Sequence, residues 1–456
     1  MKTVAFLSHS KSLKRIIPDV EALRQLNVKI LLLVNPGAKM PVYINEDEIF
    51  YVDLNDIRGI AELLSKFNID FLTTPSDHLF VNVVKICNIL KIETPCTLET
   101  AELFLNKFSH IQHAITNGLS DHVPRTIYID GHSSLNDLPN RTQKSLFIKP
   151  EIGCGMRGVF ESSIPDDQIF EYKGIKNAQA LIDTLRKHNL TDEFIKYCKT
   201  GIDTSYYYPE KPKALIQECY YTNKSYTFQY SVLNGKWHYN TIGQLFCWAQ
   251  KDEFENNRKI DPLQDPRLRI TNGSTITSEE IGYYHLSAVP DHIYPFFKKC
   301  VDYMKRTYSI NNMSFTLAIH ETIDGEFYLT DLNPRVGGQW TVNHKFSQPE
   351  FYLRYWNAIL HKSMETFNHI GPLGCVNSLL LDTGIIEHCI IPADTPKLII
   401  SGKDKLRTGV SIPEIQSLNS KKWEVKIHTC GDSLDDQIKS VLSANAFIRN
   451  NIKYYK

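Results

Sequence analysis

Short apolar runs separated by stretches of helical period fill the first hundred residues, and they restrict the fold more than any other feature of the sequence. TVAFLSH from Thr3 and VKILLLVNPG from Val28 are almost wholly apolar until turn residues end them, Glu48 to Asp53 continues the rhythm, and DFLTTPS follows from Asp70. Between and after them, RIIPDVEALRQLN, RGIAELLSKFN and DHLFVNVVKICNIL have the period of amphipathic helices. A strand that is apolar on both faces has to be covered on both, and helical crossovers do this for a parallel sheet. Residues 1–105 are therefore expected to form a parallel-sheet α/β domain.

The chain has 456 residues, more than one hydrophobic core usually absorbs, so several domains are expected, and 42% hydrophobic residues can fill them. Lys plus Arg and Asp plus Glu are both 51, which leaves no overall field to draw in a polyanion. Neither nucleic acid nor a membrane surface is expected as a partner. The apolar run Val4 to Leu7 is too short for a signal-peptide core or a membrane span, so a cytoplasmic location is expected. The ten cysteines lack a CxxC pair, which favours free, mostly buried thiols over a disulfide framework or a zinc site.

A second unit begins near Thr97. TLETAELFLNKFSHIQHAITNGL is helical to about Gly118, VPRTIYI and SLFIKP are strand-like, NAQALIDTLRKHN is helical and KALIQECYY is a strand. TFQYSVLNG and KWHYNTIGQLFCW then read as antiparallel strands joined by a hairpin turn at Asn234 and Gly235. Their aromatic residues suit either sheet packing or the walls of a pocket. Residues 252–280 are polar, with Arg267 and Arg269 near NGSTIT, and read as a loop over a site or as a solvated loop. HIYPFFKKCVDYMKRTYS is helical, and MSFTLAIHETIDGEFYLTDLNPR forms a hairpin turning at Asp324 and Gly325. From about Gly371 strand and helix mix in a third unit.

Two constellations carry chemistry. In FIKPEIGCGMRGV an apolar strand delivers Lys149 and is followed by Gly153, Gly155, Arg157 and Gly158. Glycines there let backbone N–H groups approach phosphate oxygens, and Lys149 adds a positive charge. The loop lacks the closing GK[ST] of a Walker A motif. Its glycines have G-x-G-x-x-G spacing, but the helix that should follow directly in a dinucleotide site is absent, so that reading loses on context. By itself the loop fits phosphate binding and a tight structural turn equally well.

In the second constellation, DGEFYLTDLNPRVGG, Asp331 and Asn333 lie two apart in a strand, so both side chains emerge on one face and can reach one ion. A carboxylate and an amide oxygen, completed by phosphate oxygens, suit magnesium. Arg335 follows the turn at Pro334 and can reach the same centre. An edge hairpin with solvent-facing Asp and Asn is the plain alternative.

Taken in order, these segments resemble the ATP-grasp superfamily of carboxylate–amine and related ligases, over about residues 1–350. PCTLETAELFLNKF resembles the segment whose Lys precedes the ATP-grasp domain, SLFIKPEIGCGMRGV the strand and glycine loop, ALIQECYY the adenine linker and FYLTDLNPRVGG the metal strand. The resemblance implies an α/β and α+β chain. Its parts would be an N-terminal Rossmann-like domain at 1–105, an ATP-grasp domain at 106–370 and a C-terminal α/β domain at 371–456. The ATP-grasp domain would divide into a glycine-loop subdomain of about 125–220 and a metal-strand subdomain of about 221–370.

It also implies that Lys107 and Lys149 contact ATP, that Gln217, Glu218, Cys219 and Tyr220 line the adenine pocket, and that Asp331 and Asn333 bind magnesium. Arg335 would steady the transferring phosphate or acyl phosphate, and Arg269 is the candidate for gripping a substrate carboxylate. The substrates would be a small-molecule carboxylate and an amine; a homodimer is left open.

The sequence departs from the family in two places. The linker has Asn223, Lys224 and Ser225 where many members have a Gly-x-Glu that reaches ribose or phosphate, and most members carry another Asp or Glu about a dozen residues before the metal-strand Asp, where this chain reads SFTLAIHETIDG. Thr316, Ala318 or His320 would face the site, and Glu321 is the candidate replacement ligand. The function implied is an ATP-dependent carboxylate–amine ligase acting through an acyl phosphate. The alternatives are a carboxylase-like or other non-amide ATP-grasp enzyme and a catalytically degenerate nucleotide-binding regulator.

Overall fold

The computed structural model describes residues 1–9, 13, 15–38, 40, 48–124, 126–129, 145–150, 160–161, 187, 214–219, 222–247, 280–322, 325–335, 350–361, 373–379, 381, 384–412 and 425–455. The N-terminal layer runs β1 (Thr3–Ser8), α1 (Ile17–Gln25), β2 (Lys29–Val34), β3 (Ile49–Tyr51), α2 (Ile57–Leu64), β4 (Phe71–Thr73), a 3-10 turn at Asp77–Leu79 and α3 (Phe80–Leu90). The strands form a parallel sheet in the order β3-β2-β1-β4, with Thr3 opposite Lys29 and Ser8 opposite Val34. Alternate residues of β1 and β2 fill separate cores. Ala5, Leu7, Leu31 and Leu33 pack with residues of α2 and α3, whereas Val4, Phe6, Ile30 and Leu32 pack with α1. The apolar runs are therefore buried on both faces, as their composition requires.

Two helices follow, α4 (Leu98–Leu105) and α5 (Lys107–Ala114), in place of the continuous helix the periodicity suggests. Asn106 interrupts them with an extended backbone, and its side chain accepts from Ser109 N at 2.9 Å, capping α5. The break makes Lys107 the first residue of a new helix. A small antiparallel sheet contains β5 (Thr126–Ile129), β6 (Ser145–Pro150), β7 (Phe160–Glu161) and β8 (Ala214–Cys219) in the order β5-β8-β6-β7.

The remaining elements are β9 (Thr222–Leu233), β10 (Lys236–Cys247), β11 (Glu280–Leu286), α6 (Tyr294–Thr307), β12 (Met313–Thr322), β13 (Phe327–Asn333), α7 (Glu350–His361), β14 (Leu373–Ser378), β15 (Gly384–Cys389), β16 (Leu398–Ser401), β17 (Ser411–Ile412), β18 (Lys426–Gly431), α8 (Leu434–Asn450) and β19 (Ile452–Tyr454). The β9–β10 hairpin turns at Asn234 and Gly235, whose φ values of 51° and 74° are the left-handed pair that such a two-residue turn demands. An eight-stranded sheet runs β13-β12-β9-β10-β11-β14-β18-β16, so hydrogen bonding continues from β11 into the C-terminal strands. β17, β15 and β19 form a separate three-stranded sheet.

Binary patterning explains the two faces of the large sheet. Tyr226, Phe228, Tyr230 and Val232 of β9 alternate with Ser225, Thr227, Gln229 and Ser231. In β12, Met313, Phe315, Leu317 and Ile319 alternate with Ser314, Thr316, Ala318 and His320. The first members of each set lie in one core with Phe296, Phe297 and Cys300 of α6, and Phe228 stacks on Phe297 with ring centroids 4.4 Å apart. The aromatic residues described here are thus core. The other face carries the polar members.

One helix ties this assembly to the N-terminal layer. Trp356 of α7 meets Phe6 and Phe71 edge-on at 5.9 and 5.8 Å, and its Nε1 donates to Asp19 Oδ1 of α1 at 2.9 Å. Burial pushes the Asp19 carboxyl up to about 7, while the Trp356 hydrogen bond pulls in the opposite direction.

Candidate active site

The polar face ends at the edge hairpin. Asp331 is paired with Ala318 and Asn333 with Thr316, while a bulge at Thr330 separates them from the Leu329–Ile319 pair. Asp331 and Asn333 therefore share a face, as their spacing predicts, and Asn333 Nδ2 donates to Asp331 Oδ2 at 2.9 Å. Lys107 Nζ lies 3.4 Å from Asp331 Oδ1, joining positions 224 residues apart. Both side chains keep contact with solvent, 28% exposed for Lys107 and 41% for Asp331, so they remain accessible to a ligand.

Arg335 stands one turn beyond. Its N–H donates to Asn333 O at 2.8 Å, and its carbonyl oxygen accepts from Thr316 Oγ1 at 2.9 Å. Thr316 Oγ1 also lies 3.1 Å from Gln229 Oε1, and Gln229 Nε2 donates to Phe315 O at 2.7 Å. These bonds satisfy buried polar groups and fix the turn carrying Arg335. The guanidinium Nε reaches Asp77, 2.8 Å from Oδ1 and 3.0 Å from Oδ2. Asp77 was missed in the sequence, although a polar residue just past a parallel strand's carboxyl end is where such folds bind ligands.

Glu321, the candidate replacement ligand, does not share a strand face with Asp331. Strand alternation puts it on the face of Leu317 and Ile319, opposite to Ala318 and Asp331, and its Oε2 accepts from Tyr226 OH at 3.1 Å. His292 Nε2 lies at the same distance from Oε2. Ala318 occupies the place across from Asp331. No cluster of three or more His, Cys, Asp or Glu residues suited to a metal occurs among the described residues. The oxygens there that could hold a magnesium ion are those of Asp331 and Asn333. Hard oxygens on one face fit the ion, with the nucleotide left to complete its shell.

Lys149 lies in β6, paired with Leu215 of β8. Gln217 of β8 is buried and donates from Nε2 to Thr126 Oγ1 at 3.1 Å, which ties it to β5; Glu218 and Cys219 end the same strand. β8 is followed within three positions by β9, so the linker segment joins the small sheet to the large one. Gly153, Gly155, Arg157, Gly158, Tyr220 and Arg269 lie outside the described residues. Cys87, Cys96, Cys300, Cys389 and Cys430 are free, and burial pushes the Cys87 thiol up to about 12, which leaves it unsuited to nucleophilic chemistry. His110 and His113 pair with Tyr308 and Tyr303 through Nδ1 at 2.8 and 2.7 Å.

No protein-family model and no curated protein sequence matches the chain. Solved structures do. An L-amino acid ligase from Bacillus licheniformis is 14% identical, covers 100% of this chain and 99% of its own, and superposes with a TM-score of 0.66. Phosphoribosylglycinamide synthetase from Anaerococcus prevotii is 15% identical, with 100% and 99% covered and a TM-score of 0.62. The biotin carboxylase domain dimer of 2-oxoglutarate carboxylase from Hydrogenobacter thermophilus, in complex with MgADP and bicarbonate, is 14% identical, with 98% and 91% covered and a TM-score of 0.61. The chain has the ATP-grasp fold. It is similar to these proteins along nearly its whole length.

Proposed function

We propose that the chain is an ATP-dependent ligase that activates a small-molecule carboxylate as an acyl phosphate and joins it to an amine. The carrying observation is the convergence of Lys107, Asp331, Asn333 and the Arg335 turn at one edge of the polar sheet face, from segments remote in sequence. Neighbours with this fold include an L-amino acid ligase, which favours an amino acid as one substrate.

A carboxylate is a poor electrophile because oxide does not leave at neutral pH. Transfer of the γ-phosphoryl group supplies a phosphate leaving group, and an amine then displaces it. The protein has to align and neutralise oxygens, work suited to fixed cations more than to a nucleophilic side chain. Lys107 and Lys149 are assigned to ATP, and Arg335 to the transferring phosphoryl group. Magnesium held by Asp331 and Asn333 would neutralise phosphate oxygens as a Lewis acid.

The test is ADP release from ATP and magnesium with pooled carboxylates and amines, followed by the mass of the product. A product lighter by one water than the sum of its two substrates is expected; ADP formation that no pool raises above background overturns the reading. Ala318 opposite Asp331 and the burial of Glu321 on the face away from Asp331 favour a second reading, a nucleotide-binding protein without turnover. ATP binding without ADP formation would select it.

A further inference from the structure

We propose that Asp77, presented by the N-terminal sheet, is a positioning residue that aims the Arg335 guanidinium at the transferring phosphoryl group. The proposal rests on the ligase reading above. Among the described residues, at least three attachments hold Arg335. Its N–H is bonded to Asn333 O and its carbonyl to Thr316 Oγ1, so its backbone is registered against the strand carrying Asp331. The long side chain would still sample many rotamers, and an arginine that must meet a charge appearing only during reaction gains from having that freedom removed beforehand. Asp77 supplies the third attachment, at Nε. A bond to Nε restrains the torsions behind the planar fork and so sets the direction in which the fork points.

The partner is itself anchored. Asp77 opens the 3-10 turn that leads into α3, with Leu79 and Phe80 buried directly after it. Asn82 Nδ2 ties α3 to Leu54 O at 3.0 Å, and Ser76 N donates to Thr74 Oγ1 at 3.1 Å just before the turn. Little of the pair is in contact with water, 23% of the Arg335 side chain and 15% of the Asp77 side chain, so screening of the pair is weak. Asp77 follows β4 at the carboxyl end of a parallel sheet, the end at which such sheets face their ligands. The N-terminal layer is thereby a working wall of the site.

The test uses the full chain and the substrates found by the ADP-release screen. Asp77→Asn, which keeps shape and loses charge, is expected to lower kcat by about 10- to 100-fold while KM for ATP stays within about twofold. Added to Arg335→Met, it should cause no further loss, because a residue that acts through Arg335 has nothing left to position. A loss that persists in the Arg335→Met background, with an altered acid limb in the pH profile, would make Asp77 a base or a substrate ligand and overturn the proposal. A lowered Tm with unchanged kcat would overturn it too, leaving an ordinary ion pair between layers.

If the wild-type chain releases no ADP with any pool, the ligase reading fails and the positioning is read without turnover. In protein labelled with 15N-arginine, the Nε–H signal lost in Arg335→Lys should exchange slowly with solvent and should move or broaden in Asp77→Asn. A signal unaffected by Asp77→Asn refutes the positioning role.

Discussion

Asp19 links the helices α1 and α7, and its carboxyl makes stability depend on pH in a calculable way. Burial raises it from an ordinary 3.8 to about 7. Because the folded-state value is raised, the folded chain keeps this proton while the unfolded chain has lost it, so this contribution is complete below pH 3.8. It falls as pH rises and is gone above about pH 7. Each pH unit in that window removes about 1.4 kcal/mol, roughly 4 kcal/mol in all.

Asp19→Asn keeps an oxygen that can accept from Trp356 Nε1 but cannot ionise. Its added amide donors cost about 1 kcal/mol at every pH, whereas the ionisation penalty disappears. Urea midpoints for wild type and variant, read by tryptophan fluorescence at steps from pH 4 to pH 8, give the difference in stability with the other titrating groups cancelled. The difference should move in favour of the variant by up to roughly 4 kcal/mol between those limits. A difference that is flat across the range would refute the raised carboxyl.

The remaining predictions concern the site. Lys149→Ala should cut ATP turnover by about 10²-fold or more if its charge serves ATP as proposed, and unchanged kinetics in a folded variant would remove Lys149 from the site. Asp331→Asn should nearly abolish turnover, and full activity would dismiss the metal strand. Glu321→Gln should leave the magnesium titration unmoved while lowering stability by about 1 kcal/mol, because it weakens the hydrogen bond from Tyr226; a shifted titration would return Glu321 to the metal. Ala318→Asp places a second carboxylate across from Asp331 and should lower the magnesium needed for half-maximal activity by about threefold or more. An unchanged requirement would count against a metal at that pair.

Local periodicity was enough to read much of this protein. Fully apolar β1 and β2 require cover on both faces, the Asn-Gly pair at 234 and 235 satisfies a left-handed turn, and the two-residue spacing of Asp331 and Asn333 places them together. Each of these depends on geometry repeated within a few residues. The face of Glu321 was not legible in this way, because the face of a residue depends on its parity in a strand, and parity becomes decisive only once the register with the neighbouring strands is known. Counted back from the turn, Glu321 stands near the site; counted along β12, it belongs with Leu317 and Ile319.

What only the tertiary structure decided is the long-range pairing of charge. The Lys107–Asp331 contact joins positions 224 residues apart, and Arg335 meets Asp77 across a separation of 258. Nothing local in either segment names its partner, because such contacts arise where separate layers are brought together by packing, with Trp356 seated against Phe6 and Phe71 in the core that joins the two layers. The sequence by itself determined many of the strands before residue 371, which of their faces are polar and which residues bear charge. The packing of the layers decided which of those charges meet, since an ion pair needs two chain segments at one point and local periodicity describes only one at a time.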